Sequence, residues 1–433
     1  MSDQANLEIN ETINGPMGRE FAKVTDLYDG GADVDPYPIF QQMLADSPVI
    51  EGDLLARFGA PSQAGNTDKR KLFTLFRYDD IMKVLRDPKR FTSSLLGEGL
   101  GQFLDGLMIT AMDGAEHRLT RNMLQPAFSP QVIERWRSGL MRDLARDTYA
   151  TPLVAKKRAE LVADFALAYP VHVIYRIIGL TEDKEGFEAF AARGLRILVG
   201  PQRDPAKQAA AFADAMAASQ ELYDSIRPMV EQRRAAGAEG DDLMSHLLRV
   251  SYEGRALDDH EITGFLRMLL PAAAETTTRT IGNTLVTLFK HPEVLEAIRA
   301  DYSLIPAAID EVARLEPVTT FLARETAEDV EFHGVAIPKG SALSLATGAA
   351  GRDERAFPNP DVFDIHRAKR PMFAFGFGPH MCIGMMIAKF EVEEALKAMF
   401  DLFPNLRLDP DKPEPKIVGP HMRGPAELNV IWD

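Results

Sequence analysis

One long segment with helical spacing limits what this chain can fold into more than any other feature. Asp258 to Lys290 keeps that spacing until His291-Pro292, well beyond the usual helix of about 8–20 residues. Other segments repeat the helical pattern, whereas strand-like alternation is confined to Leu72–Phe76, Glu328–Pro338 and Ser341–Leu345. The sequence therefore predicts a mainly α protein with a small β part. The other helical segments are Asp79–Arg86, Glu116–Leu124, Leu161–Leu180, Lys207–Arg234, Pro292–Asp301, Ile305–Leu315 and Met385–Phe400.

The composition is that of one globular unit. The 433 residues are 45% hydrophobic and 26% charged, which is enough for a large core. We find no internal repeat and no low-complexity linker, and the loop-like stretches lie between patterned segments. We therefore predict a single domain over residues 1–433, with an irregular N-terminal arm at 1–33.

Charge and cysteine content restrict the partners and the compartment. A formal net charge of −15 argues against binding nucleic acid through its phosphates. One cysteine excludes an intramolecular disulfide and fits a reducing cytoplasm. The first residues are polar and acidic, and no window reaches the roughly 18 apolar residues of a membrane span. We predict a cytoplasmic protein with no membrane span.

The single cysteine, Cys382, lies in a loop that is rich in glycine. It follows Phe375-Gly-Phe-Gly-Pro-His-Met and precedes a helix that begins near Met385. Glycines let a backbone approach a flat ligand, and the N-terminus of a helix stabilises a thiolate. A buried, inert cysteine is the competing interpretation of these residues alone.

The segment resembles the haem-binding loop of the cytochrome P-450 family, whose pattern is F-x-x-G-x-x-x-C-x-G. Phe375, Gly378, Cys382 and Gly384 fill its fixed positions, and similar segments run in family order from about Asp35 to the C-terminus. The resemblance implies a triangular fold with haem b between a long distal helix and a proximal cysteine loop. It implies that Cys382 ligates the iron, that Phe375 covers the proximal face, and that Gly376 also contacts the haem.

The centre of the long segment resembles the family motif A-G-x-[ED]-T. Thr276 takes the alcohol position and Glu275 the acid position, so the two are the expected catalytic residues that relay protons to dioxygen. A polar helix face with its hydroxyl bonded to the carbonyl four residues earlier is the alternative. Two residues depart from the family. Ala273 replaces the usual glycine beside the haem, and Pro271 should kink the helix.

Further charged residues match the family pattern. Glu311 and Arg314 resemble its E-x-x-R pair, a buried structural network, and either Arg352 or Arg367 could be the third member. Four residues are expected to bind the haem propionates, which need cations or hydrogen-bond donors. They are His117, Arg121, Arg324 and His380.

The resemblance implies a monooxygenase that inserts one atom of O2 into a small to medium lipophilic substrate, such as a terpenoid, steroid or aromatic. Electrons would come from NAD(P)H through a reductase and an acidic iron–sulfur ferredoxin, since no redox module is fused to the chain. A basic patch of Arg118, Lys369, Arg370 and Lys389 would receive the ferredoxin. The alternatives are a peroxide-driven haem enzyme, a non-catalytic haem sensor and a helical protein without haem.

The substrate-facing positions are inferred from their location in the family pattern, and each could equally belong to the core. They are Leu96, Phe103, Leu107, Met108, Leu195, Leu198, Ala272, Phe321, Leu322, His421 and Met422.

Overall fold

The structure, a computed structural model, describes residues 15–28, 34–62, 70–180, 184–202 and 204–433. It is mainly helical with a small β part, which confirms the predicted class. The α-helices are Pro16–Tyr28, Tyr37–Asp46, Leu54–Arg57, Tyr78–Arg86, Leu95–Glu98, Gly114–Leu124, Pro130–Trp136, Ala168–Ile178, Lys184–Leu198, Pro205–Ala235, Leu243–Arg249, Asp259–Lys290, Pro292–Ala300, Ile305–Leu315, Thr347–Ala350 and Met385–Leu402. None of the helices in the described ranges is long and apolar enough to cross a bilayer.

Shorter turns of helix connect these elements. Three have π geometry, at Arg137–Met141, Leu144–Ala150 and Val162–Ala166. The 3₁₀ turns are Leu100–Gln102, Ile109–Ala111, Gln125–Phe128, Thr151–Lys156, Tyr302–Leu304 and Gly378–His380.

In the described residues, the strands form a five-stranded sheet, a three-stranded sheet and two hairpins. In spatial order the five strands are Val49–Glu51, Leu72–Leu75, Ala342–Leu345, Leu322–Thr326 and Phe91–Thr92. Within this sheet, as far as the structure describes the chain, Leu72–Leu75 pairs with Ala342–Leu345 in parallel and the other pairings are antiparallel. A second sheet joins Arg407–Leu408, Asn429–Ile431 and Arg158–Glu160, and the two hairpins are Ser251–Tyr252 with Arg255–Ala256 and Val330–Phe332 with Val335–Ile337.

The helix Asp259–Lys290, called the long helix below, runs through the core. A capping box starts it, because Asp258 accepts from the Glu261 N–H while the Glu261 carboxylate accepts from the Asp258 N–H. It continues through Pro271 and ends before His291-Pro292. Its side chains are buried on every face over most of its length, as expected for a helix at the centre of a large protein.

Two segments differ from the sequence prediction. Leu161–Leu180 was expected as one helix, but it divides into a π-helical turn and a helix that begins at Ala168. Pro170 then lies in the first helical turn, where its missing N–H costs no helical hydrogen bond. Pro170 is the sequence signal for this division, because a proline inside a helical pattern marks a break or the start of a new helix.

The expected irregular arm at residues 1–33 is wrong for part of its length. Pro16–Tyr28 form a helix, called the N-terminal helix below, whereas residues 1–14 and 29–33 lie outside the described part. Met17, Phe21, Val24 and Tyr28 are buried and follow helical spacing. This apolar face packs against the helix Lys184–Leu198, which explains why the segment is helical.

Candidate active site

A cavity of about 340 Å³ lies between the middle of the long helix and the loop that carries Cys382. Most of its wall is apolar, with a thiol and several basic groups at specific points. Twelve of the predicted catalytic, haem-binding and substrate-facing residues line it together. They are Leu96, His117, Arg121, Ala272, Ala273, Thr276, Leu322, Arg324, Phe375, Gly376, His380 and Cys382.

The loop before Cys382 depends on glycine conformations. Gly376 and Gly378 both have φ of +69°, a region that residues with a Cβ rarely adopt. A Cβ on Gly378 would also lie 2.5 Å from the Leu85 carbonyl oxygen. The Cys382 N–H donates to the Phe375 carbonyl at 2.8 Å, so the loop closes on itself and directs the thiol into the cavity.

Opposing effects act on the pKa of the Cys382 thiol. The thiol opens onto the cavity although it lies deep within the protein, and burial raises its pKa above the ordinary value of 9.0. The N–H groups of Gly384 and Met385, together with Arg121, lower this pKa by a smaller amount. The helix N-terminus therefore assists the thiolate as expected but does not outweigh burial. A cation bound at the sulfur would supply the missing stabilisation.

Basic side chains gather at one edge of the cavity. Burial, followed by the charges of His380 and Arg121, lowers the pKa of His117 to about 4, and burial lowers that of Arg324 to about 10. The rings of His117 and His380 lie 4.1 Å apart, and buried His117 Nε2 has no hydrogen-bond partner among the described residues. Within the described part of the chain, this cluster has Asp113 as its acidic neighbour, which pairs with His380 and also acts on His117 and Arg324. It suits an anionic ligand, and the thiol and the apolar walls fit the rest of a haem.

The long helix presents Thr276 to the cavity and turns Glu275 away from it. Thr276 Oγ1 donates to the Ala272 carbonyl at 2.9 Å, which is the bond expected for a hydroxyl within a helix. Glu275 is fully buried behind this wall, where it forms an ion pair with Arg279. Burial raises the pKa of Glu275 while Arg279 opposes the rise, and Glu275 Oε2 has no partner within the described residues. The two residues expected to form one relay thus lie on different sides of the helix wall.

The buried network around Glu311 has three members. Arg314 donates to both carboxylate oxygens of Glu311, at 2.9 and 2.7 Å. Arg367 donates to Glu311 at 2.9 Å, whereas Arg352 pairs with Glu316 at 2.6 Å. The sequence left open whether Arg352 or Arg367 is the third member of this network, and the structure shows that it is Arg367. Since Arg367 also donates to carbonyls of residues 358–362, it fixes the segment that leads to the cysteine loop.

The remaining eight substrate candidates do not reach the cavity wall. His421 is buried against Tyr28 and Phe321, and Phe103 packs on Phe212. Apolar patterning places a residue inside the protein without distinguishing core from cavity, which explains the difference. The eight are Phe103, Leu107, Met108, Leu195, Leu198, Phe321, His421 and Met422, all of which lie in the hydrophobic clusters or in contact with them.

Several wall residues were not found from the sequence. Helical spacing from Thr276 does indicate Leu269, because positions 269, 272, 273, 276 and 280 share one face of the long helix. The others come from elements far apart in the chain and carry no local signal. They include Ile109, Thr110, Ile174, Val318, Thr319 and Glu391, whereas Met268 lies on the long helix eight residues before Thr276 and shares its face.

Comparisons with known proteins agree with this geometry. The family model described as Cytochrome P-450 matches residues 67–429. Cyclomarin C epoxidase CymV of Salinispora arenicola is 34% identical over 367 residues, which cover 84% of this chain and 91% of that protein. The cytochrome P-450 monooxygenase PikC of Streptomyces venezuelae is 29% identical over 429 residues, or 96% and 93% of the two chains. The crystal structure of CYP109E1 from Bacillus megaterium in complex with testosterone superposes with a TM-score of 0.78 at 26% identity, covering 92% of this chain and 100% of that one. The chain therefore belongs to the cytochrome P-450 family, and it is an oxidoreductase of the monooxygenase type.

Proposed function

We propose that this protein inserts one atom of O2 into a small to medium lipophilic substrate, with a haem b that Cys382 ligates. Family membership implies a haem-thiolate cofactor. The observation that carries the proposal is one cavity with the thiol of Cys382 on one wall, Thr276 on another and basic groups at its edge. The overall reaction consumes O2, two electrons and two protons, and it yields the oxygenated product and water.

The residues that line the cavity suit the iron, the ring and the propionates of a haem. Cys382 would hold the iron, and Phe375 and Gly376 would lie along the proximal side of the ring. Arg121, Arg324, His117 and His380 would bind the propionates, which suits the unpartnered His117 Nε2. When bound, the haem supplies the activation of oxygen.

Proton supply falls to the long helix. Thr276 holds a proton on Oγ1 at the cavity wall. Glu275 is the nearest acid along the chain, and burial raises its pKa toward the range useful for proton transfer near neutral pH. Because the Glu275 carboxyl lies behind the wall, its proton has to reach Thr276 through a small movement of the side chain or through water.

The apolar lining supports a lipophilic substrate. Leu96, Leu269, Ala272, Val318 and Leu322 contribute hydrocarbon to the wall. Thr110 and Thr319 are polar points that could orient one oxygen function. The binding of testosterone by CYP109E1 supports a substrate of steroid size.

The electron supply proposed is NAD(P)H through a reductase and a ferredoxin. Arg118, Lys369 and Arg370 are exposed and support docking of an acidic partner, whereas Lys389 is already paired with Asp310. The single cysteine supports a reducing compartment, and we propose the cytoplasm.

Reconstitution tests the proposal directly. The purified holoenzyme is screened for compounds that shift its haem spectrum, and each hit is incubated with NAD(P)H, a ferredoxin and its reductase. We expect consumption of NAD(P)H coupled to an oxygenated product. Product with peroxide but none with the electron-transfer chain would contradict the proposal, as would ligand binding without turnover under either condition.

A further inference from the structure

The N-terminal helix reaches the ion pair behind the oxygen-side wall. Thr25 accepts a hydrogen bond from Nη2 of Arg279 at 2.9 Å. On the same helix, the ring of Phe21 lies 5.2 Å from the Arg279 guanidinium. Arg279 is 3% exposed, so these two contacts form part of its closed surroundings.

The other contacts of Arg279 leave it little freedom. Its Nε donates to Glu275 Oε1, one turn earlier on the long helix. The Arg279 side chain also runs directly over Gly424, where an added Cβ would lie 2.9 Å from Arg279 Cβ. The Arg279 guanidinium is therefore held at two atoms. Its Nη2 donates to the hydroxyl of Thr25, and its Nε donates to the carboxylate of Glu275.

The charges around this pair come from three elements. Glu275 and Arg279 belong to the long helix, and His421 approaches from the C-terminal loop. Burial, followed by the charge of Arg279, lowers the pKa of His421 to about 3, so this imidazole is neutral near pH 7. The ring of Tyr28, on the N-terminal helix, lies 5.9 Å from the His421 ring. Arg279 is thus the cation that balances the buried carboxylate of Glu275.

We propose that Thr25 is a positioning residue for the monooxygenase reaction, because it holds Arg279 in the place from which Arg279 fixes Glu275. The inference rests on the proton-supplying role proposed above for Glu275. Through Thr25 and Arg279, the N-terminal helix thereby affects the pKa of Glu275, which lies behind the active-site wall. If the Thr25 hydroxyl is removed, Arg279 gains freedom and Glu275 loses part of its counter-charge.

The test uses Thr25→Val in the full-length holoenzyme, with two controls. Thr25→Ser keeps the hydroxyl, and Lys23→Ala changes an exposed position of the same helix. The carboxyl infrared band of Glu275 is assigned by its loss in Glu275→Gln and is then titrated with pH. We expect the pKa of Glu275 to rise by about one unit in Thr25→Val, since a neighbouring cation lowers a carboxyl pKa by about 1–3 units. The value in both controls should match that of the unaltered protein.

Amide hydrogen exchange across residues 17–28 separates a local effect from loss of the helix. Normal protection with a raised pKa, and its return in Thr25→Ser, would support the proposal. An unchanged titration in Thr25→Val would overturn it. A shift that occurs only together with lost protection would also overturn it, because detachment of the helix would then be the cause.

The fate of the electrons distinguishes this inference from the proposed function. The fraction of NAD(P)H recovered as product instead of hydrogen peroxide should fall in both Thr25→Val and Glu275→Gln. If Thr25→Val shifts the titration while Glu275→Gln leaves that fraction unchanged, the link from Thr25 to Glu275 stands and the role proposed for Glu275 fails.

Discussion

Replacing Gly378 by alanine tests how the loop ahead of Cys382 is built. A residue with a Cβ at a φ of +69° costs about 1–2 kcal/mol. The new Cβ would also lie 2.5 Å from the Leu85 carbonyl oxygen, which is a backbone atom and cannot rotate away. Such overpacking costs a further 1–3 kcal/mol or so, which gives a total of about 2–5 kcal/mol.

Gly340→Ala is the matched control. Gly340 has a φ of +76°, yet an added Cβ there meets no atom within 4 Å, so only the conformational cost applies. At an unfolding entropy of about 2.1 cal/mol/K per residue, a chain of 433 residues loses roughly 1 °C in Tm for each kcal/mol. We therefore expect Tm to fall by about 1–2 °C in the control and by about 2–5 °C in Gly378→Ala.

The assays are calorimetry of the holoenzyme and the carbon monoxide spectrum of the reduced protein. Gly378→Ala should lose part of its thiolate-type band because the loop has to move away from Leu85, and this displaces Cys382. Gly340→Ala should keep the band in full. Equal losses of Tm and identical spectra for the two variants would refute the reasoning, since the contact with Leu85 would then have no cost.

Three other predictions concern the cysteine, the buried network around Glu311 and the buried His421. Cys382→Ser should abolish the thiolate-type carbon monoxide band, and survival of that band would exclude Cys382 as the iron ligand. Arg367→Ala should cost about 1.5–3 kcal/mol and lower the haem content, because it removes a charged hydrogen bond from the buried carboxylate of Glu311, which keeps Arg314 as its partner, whereas Arg367→Lys should restore part of both. His421 has a folded pKa of about 3 against an ordinary 6.5, so the unfolded state takes up its proton first as the pH falls. Its share of the free energy of unfolding is therefore constant above pH 6.5 and declines by roughly 2 kcal/mol by pH 5, and His421→Gln should flatten the measured pH dependence by this amount.

Features encoded by short spacings could be predicted from the sequence. The cysteine loop needs glycines at fixed positions around one thiol, so its pattern can be recognised within a segment of ten residues. Thr276 was assigned to the oxygen side from the resemblance of its segment to the family motif A-G-x-[ED]-T, and helical periodicity then indicates which residues share its face. The same periodicity does not tell whether the preceding residue, Glu275, has a partner, and that partner determines the surroundings of its carboxyl group.

Features that depend on contacts distant in sequence could not be predicted. Arg352 and Arg367 both follow Glu311 at a distance along the chain, and only the path of the intervening segment brings Arg367 to the carboxylate. Likewise, Phe103 and Leu96 are both apolar residues of one early segment, yet Leu96 lines the cavity and Phe103 fills the core. Patterning specifies burial, whereas the shape of a cavity is determined by all the elements around it.

Two neighbouring rows of residues on the long helix have different roles: one row lines the cavity, and the other binds the surrounding elements of the fold. Positions 272, 276 and 280 face the cavity, and the hydroxyls of Thr276 and Thr280 donate to carbonyls of their own helix at 2.9 and 2.7 Å. One residue earlier on each turn, about 100° around the helix, positions 275, 279 and 283 reach outward.

This second row attaches the helix to its neighbours. Arg279 reaches the N-terminal helix through Thr25, and Asn283 donates to the carbonyls of Glu316 and Arg423 at 3.0 and 3.2 Å. Changes in the first row can therefore alter which substrate fits while the helix stays in place. Changes in the second row shift the helix as a whole, and so they should affect stability, proton supply and substrate fit together.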